Sequence, residues 1–104
     1  MTAKKMISAL AEKYGDEFIW SPLADGSFFE RQLVKESDIE PERITALAKC
    51  EANDDVLYHI GGEELPWRIY HLTYYCRAKY KGFSSAEEAC DYIEKCFIED
   101  YISI

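Results

Sequence analysis

The chain has 104 residues and a formal net charge of −8, with 48% hydrophobic and 31% charged residues. This length and composition fit a single globular domain over residues 1–104. No apolar run approaches the roughly 20 residues of a membrane helix, so we expect no membrane-spanning segment. The lysines near the start are not followed by the apolar stretch of a signal peptide, so we expect a cytoplasmic protein.

An apolar stripe predicts the first helix. Between Ala3 and Tyr14, apolar residues recur at i, i+3, i+4, i+7, i+8 and i+11, which is the pattern of an amphipathic helix. Thr2 is suited to cap its start, and Gly15 stands where a helix commonly ends. Residues 17–20 then form a short strand candidate.

Residues 28–36 are ambiguous between a strand and a helix. Ser27 and Glu30 have the spacing of a capping box, which favours a helix. However, the Asp25-Gly26 pair lies between two aromatic-rich runs, and this arrangement is typical of a hairpin. We favour the strand. Residues 37–42 are expected to form an acidic loop or a single helical turn.

Three β-prone runs follow, at residues 44–51, 56–60 and 67–75. Turn residues at 53–55 and the Gly61-Gly62 pair join them, and this alternation predicts an antiparallel meander.

The last part of the chain is interpreted as a loop followed by a helix. The basic run at residues 77–81 is taken as the loop, and Ser84 or Ser85 is expected to cap a helix with an apolar face from Ala86 to Phe97. The apolar tail at residues 101–104 is expected to dock on the domain.

Together these elements predict an α+β fold, a two-layer sandwich. It consists of an N-terminal helix, an antiparallel sheet of about four or five strands, and a C-terminal helix packed on one sheet face. The last strand of the meander carries large apolar groups on both sides. Because two helices are too few to cover both faces, we expect one face to be open to a partner, or to a second copy in a homodimer.

Four cysteines are interpreted as reduced core thiols, since no export signal accompanies them: Cys50, Cys76, Cys90 and Cys96. The spacing of Cys90 and Cys96 on one helix does not suit a disulfide. The chain contains no C-x-x-C or H-x3-H pair, so we expect no metal site and no cofactor.

The negative charge is concentrated in the middle of the chain, where residues 36–65 hold nine acidic and two basic residues, a net −7. Such a potential repels nucleic-acid phosphates, so we expect no direct nucleic-acid binding and favour a basic protein partner. The competing explanation is solubility. Eight tyrosines and two tryptophans exceed what this core requires, and both residue types are enriched at interfaces.

These features predict a non-catalytic protein that binds a basic partner and inhibits or neutralises it. The residues expected to contact this partner are Asp54, Asp55, Tyr58, Glu63, Glu64, Trp67, Tyr70 and Tyr74. Two alternatives stay open. One is a DNA mimic or phage-type inhibitor of a nuclease such as a CRISPR effector, which requires carboxylates spaced along a continuous surface. The other is a ligand-binding protein or enzyme with Asp54, Asp55 and His71 in a deep pocket.

The strings at residues 48–58 and 70–74 resemble a pattern in small bacterial proteins that have no established activity. This resemblance covers residues 44–76, about a third of the chain, and implies a pair of hairpins. In size and charge alone, the chain is similar to immunity proteins of contact-dependent and polymorphic toxin systems and to anti-CRISPR proteins.

Overall fold

The computed structural model describes residues 2–74 and 77–102, the last two by their backbone alone. The helices and strands in this part of the chain are α1 (Ala3–Tyr14), β1 (Trp20–Pro22), α2 (Ser27–Glu36), β2 (Ile44–Cys50), β3 (Asp55–Ile60), β4 (Trp67–His71), β5 (Lys79–Phe83) and α3 (Ala86–Phe97). Short 3₁₀ turns lie at Gly15–Glu17 and Pro41–Arg43, and a π-helical segment at Ile98–Ile102 follows α3.

The five strands form one antiparallel sheet in the order β1-β2-β3-β4-β5. The α+β class, the antiparallel sheet and the two terminal helices are thereby confirmed. A bulge interrupts β2, where the register with β3 shifts between Ala46 and Ala48. Since a bulge inserts one extra residue, it turns the following side chains to the opposite face of the sheet. Ala46 therefore belongs to one apolar cluster and Ala48 to the other.

Helices α1 and α3 cover the first face of the sheet. Their fully buried residues, such as Ile7 and Ile93, pack with Leu57 from the middle strand. The two helices lie side by side and run in the same direction, because Lys13 near the end of α1 is 2.8 Å from Glu94 near the end of α3, and the starts of both helices line one groove. This direction brings both helix C-termini to one end of the sheet.

Helix α2 covers the second face, so the strand interpretation of residues 28–36 is wrong and this face is not open over the central strands. Leu33, with no exposed surface, packs there against Val56 and Tyr58. Asp25 stabilises the turn that leads into the helix, because its Oδ1 accepts hydrogen bonds from the amide and hydroxyl of Ser27 at 3.0 and 2.5 Å. The apolar residues needed to hold α2 in place come from distant strands.

Two other predictions at the end of the meander are wrong. Residues 79–83 form a strand rather than part of a loop, because Tyr80 pairs with Tyr70 in β4. Strand β4 ends at His71: the Leu72 amide still donates to the Asp54 carbonyl at 3.1 Å in the β3–β4 register, but the following amide, of Thr73, donates to the Glu36 carboxylate instead. The expectations for residues 75 and 76, which include Cys76, lie outside the described residues.

Both predicted caps of the terminal helices are confirmed. The side-chain oxygen of Thr2 accepts a hydrogen bond from the Lys5 amide at 3.3 Å, and that of Ser85 accepts one from the Glu88 amide at 3.1 Å.

The three described cysteines are free thiols, and two of them, Cys50 and Cys90, are buried. Within the described residues, every helix is too short or too polar to cross a bilayer. The side chains of the predicted tail, residues 101–104, lie outside the described part.

Candidate partner-binding site

The strand register divides the acidic middle segment between two ends of the sheet. Ile44 pairs with Ile60, so the turn between β2 and β3 lies at the opposite end from the turn between β3 and β4. The six residues of β3 separate these turns by about 17 Å. The carboxylates of Asp54 and Glu64 therefore do not share the single contact surface that the sequence suggested.

A different acidic surface forms where three distant parts of the chain meet. The Glu51 amide donates to the Ile19 carbonyl at 2.6 Å, which joins the β2–β3 turn to the segment after α1. The rings of Tyr14 and Phe97, 4.9 Å apart, join the same region to the end of α3. We call this surface the acidic end, and it consists of Asp16, Glu17, Glu51, Asp54, Asp55, Glu99 and Asp100.

A cavity of about 220 Å³ opens within the acidic end. Its walls combine apolar groups from the first sheet face and α3 with polar groups from the β2–β3 turn and the segment after α3. The lining residues are Ile19, Trp20, Cys50, Asn53, Asp55, Ile69, Tyr92, Ile93, Cys96, Phe97 and Asp100. The carboxylates of Asp55 and Asp100 thus stand beside hydrocarbon surface in a partly enclosed space.

No protein family, curated protein or solved structure matches this chain. The case for function therefore depends on the chemistry of the site itself.

The three residues of the predicted ligand or catalytic site come only partly together. Asp55 and His71 are paired across β3 and β4, and Asp55 Oδ1 lies 2.7 Å from His71 Nδ1. Asp54 is exposed in the turn, and neither it nor His71 lines the cavity that contains Asp55. Among the described residues, no group of three or more histidine, cysteine, aspartate or glutamate side chains is placed to hold a metal ion. This arrangement supplies a hydrogen-bonded pair at the surface rather than the deep pocket that the alternative requires.

Two tyrosines expected at the interface are buried, so that part of the prediction is wrong. Tyr58 has no exposed surface, and its hydroxyl donates to the Phe29 carbonyl of α2 at 2.8 Å. Tyr70 is 2% exposed, and its hydroxyl accepts a hydrogen bond from Arg68 at 2.9 Å. Burial raises the pKa of the Tyr58 phenol. Both rings face α2, which the sequence interpretation did not place there. Tyr74 remains exposed, with a positive φ of 65°.

The other predicted contact residues lie at the opposite end of the sheet. Trp67 is partly exposed, and its ring lies 4.6 Å from that of His59 in an open groove of about 660 Å³ between the starts of α1 and α3. Glu63 is held by Arg43 at 2.5 Å and by Arg68 at 2.8 Å. These hydrogen bonds lower the pKa of the Glu63 carboxyl and neutralise much of its charge. Glu63 is therefore a structural ion-pair partner more than a free anion.

Sequence reasoning missed the contributions of the two helix ends to the acidic end. Asp16 and Glu17 follow α1, and Glu99 and Asp100 follow α3, in parts of the chain whose overall charge is nearly balanced. One signal was present, since an acidic pair stands after each of the two predicted amphipathic helices. Recognising it required knowing that α1 and α3 are parallel, and this depends on packing.

Proposed function

We propose that the protein is a non-catalytic cytoplasmic binding protein whose acidic end docks on a basic surface of a protein partner. The observation that supports this best is the cavity within the acidic end, which brings the Asp55 and Asp100 carboxylates together with apolar walls. A flat acidic surface would serve solubility equally well, but a cavity of mixed character offers a place for a particular side chain.

Lysine and arginine side chains match such a cavity. Each has a hydrocarbon stem that packs on apolar surface and a cationic head that needs a carboxylate partner. In the cavity, Ile69, Ile93 and Phe97 provide apolar surface for the stem. Asp100 and the Asp55 oxygen that is not paired with His71 provide anionic oxygens for the head, and Asn53 adds a neutral polar group.

The surroundings of the cavity strengthen the attraction for a basic partner. The C-terminal ends of α1 and of the helical run from α3 through Ile98–Ile102 both lie at the acidic end, where the aligned peptide dipoles contribute a partial negative charge. Exposed carboxylates around the rim, such as Glu51, Asp54 and Glu99, add full charges, which outnumber the one ammonium, of Lys49, that donates to the Cys50 and Asn53 carbonyls of the same turn. A concentrated field of one sign accelerates association with a partner of opposite sign and depends strongly on salt.

Occupation of a basic surface by this protein would block whatever that surface binds, and this is the sense in which it inhibits or neutralises its partner. If the covered surface is the nucleic-acid channel of a nuclease, nucleic acid competes directly with the acidic end. If the partner is instead a toxin whose basic surface does not bind nucleic acid, added nucleic acid does not displace the acidic end from it.

The test compares two triple variants in capture experiments with extract of the native cell. One variant neutralises the acidic end by Asp54→Asn, Glu99→Gln and Asp100→Asn. The control removes the same charge from the opposite end of the sheet by Glu40→Gln, Glu42→Gln and Glu64→Gln, all at exposed positions. We expect a stoichiometric partner that binds the wild type and the control but is lost from the acidic-end variant and released by salt.

Equal loss in both variants would attribute binding to net charge, and an unchanged partner in the acidic-end variant would assign it to another surface. Either result contradicts the proposal. The absence of any stoichiometric partner for the wild-type protein also counts against it. Thermal unfolding of all three proteins verifies that they fold.

A further inference from the structure

Strand β5 is an edge of the sheet whose outer side has no strand partner among the described residues. An edge strand presents backbone amide and carbonyl groups at which another extended chain can pair. The opposite edge, β1, has only three residues and includes Pro22, which cannot donate a ladder hydrogen bond. Of the two edges, β5 is therefore the one suited to accept a further strand.

The edge strand is basic, in contrast to the chain as a whole. Lys79 and Lys81 are exposed and lie on the same face of the sheet, about 7 Å apart. Neither lysine forms an ion pair with a carboxylate in residues 2–74 or 77–100. The Lys81 ammonium lies 5.2 Å from the centre of the Tyr92 ring, which holds it above α3.

The residue between the two lysines presents an aromatic ring on the other face. Tyr80 is 50% exposed, although its ring is fixed from below by Arg68, whose guanidinium lies 4.2 Å from the ring centre, and by the Tyr70 ring at 4.9 Å. A fixed and half-exposed ring on an edge strand favours an apolar or β-branched residue directly opposite on an added strand.

Edge lysines commonly prevent sheets from joining, and here they exclude one partner in particular. Antiparallel pairing of β5 with β5 of a second copy would place lysines opposite lysines, which is unfavourable. The same two charges favour a strand that carries carboxylates at alternate positions. The two lysines thus favour an added strand of negative charge, because repulsion of one partner and attraction of another both contribute to specificity.

We propose that β5 accepts, by strand addition, an extended acidic segment of another protein. Carboxylates at alternate positions of this segment face Lys79 and Lys81, and the apolar residue between them faces Tyr80. Lys79 lies two strands from Asp55, and Lys81 lies over Tyr92 of the cavity wall, but this contact uses the outer edge of β5 and does not depend on the function proposed above.

The test uses a capped seven-residue peptide with glutamate at alternate positions and valine between, and a control peptide with lysine in place of glutamate. We expect the glutamate peptide alone to bind the wild-type protein, to slow amide hydrogen exchange in Lys79–Phe83, and to weaken at high salt. The double variant Lys79→Glu and Lys81→Glu should bind the glutamate peptide at least about tenfold more weakly and gain affinity for the lysine peptide.

A charge-matched control with Lys35→Glu and Lys95→Glu, both exposed on helices, should bind the glutamate peptide as the wild type does, within about twofold. The proposal is overturned if the glutamate peptide does not bind, if protection falls on β1, or if both double variants lose affinity equally. If the lysines only prevent self-association, the glutamate peptide does not bind and a Lys79→Thr and Lys81→Thr variant forms oligomers, which likewise overturns it.

Discussion

The carboxylate of Glu36, at the end of α2, offers a sharp test of how this helix is held. Only 5% of the residue is exposed. One oxygen accepts hydrogen bonds from the amide and hydroxyl of Thr73, at 2.8 and 3.0 Å, and the other accepts one from the Gln32 side chain at 2.7 Å. Glu36 therefore ties α2 to the segment that leaves β4.

Replacement of Glu36 by alanine removes a carboxylate that accepts hydrogen bonds from the Thr73 amide and hydroxyl and from the Gln32 side chain. Hydrogen bonds to a charged group contribute about 1.5–3 kcal/mol each, and relief from burying a carboxylate offsets part of their loss. We expect Glu36→Ala to lower the free energy of unfolding by about 2–4 kcal/mol. Glu36→Gln keeps one acceptor but turns a donor toward the Gln32 amide, and it should cost about 1–2 kcal/mol.

The effect of pH on these proteins has a definite sign. Burial works to raise the pKa of Glu36, but the hydrogen bonds from Gln32 and Thr73 outweigh it and hold the pKa below the usual 4.5. A lowered carboxyl pKa contributes stability that is present above the unfolded value and lost as pH falls through the folded value. The difference in stability between the wild type and Glu36→Gln should therefore shrink as the pH falls below about 4.5.

Urea unfolding followed by tryptophan fluorescence measures these changes. Lys35→Ala, at the exposed neighbouring position, is the matched control and should change stability by no more than about 0.5 kcal/mol. Two results would contradict the anchoring of α2 by the buried carboxylate. One is a Glu36→Ala variant as stable as this control, and the other is a difference in stability between the wild type and Glu36→Gln that widens in acid.

Three further substitutions test other contacts by the same unfolding assay. A Cβ at Gly26 would lie 2.7 Å from the Ala46 carbonyl oxygen, so Gly26→Ala should cost about 1–3 kcal/mol, and an unchanged midpoint would contradict the close approach of α2 to β2. Tyr58→Phe removes the hydrogen bond to the Phe29 carbonyl and should lower the free energy of unfolding by about 1 kcal/mol, and unchanged stability would contradict a net contribution of this bond. Ser85→Ala removes the cap of α3 and should cost about 1 kcal/mol, and unchanged stability would contradict the capping role of Ser85.

The sequence alone determined the elements whose signals are local. Helix α1 was predicted over Ala3–Tyr14, as observed, because its apolar stripe and both of its end signals lie within 14 residues. The start of α3 and the meander of β2, β3 and β4 were predictable for the same reason. The approximate number of strands was also correct, although residues 28–36 were counted as one of them and β5 was not.

Tertiary structure decided the features in which local signals compete or distant residues meet. The capping-box and hairpin signals around Ser27 conflict, and burial of Leu33 against β3 resolves them in favour of a helix that then covers Tyr58 and Tyr70. The β2 bulge sends Ala46 and Ala48 to opposite clusters, although an uninterrupted strand would place them on one face. The acidic end arises because α1 and α3 pack in parallel, and a hydrophobic stripe specifies that a helix has a buried side but not the direction of its neighbour.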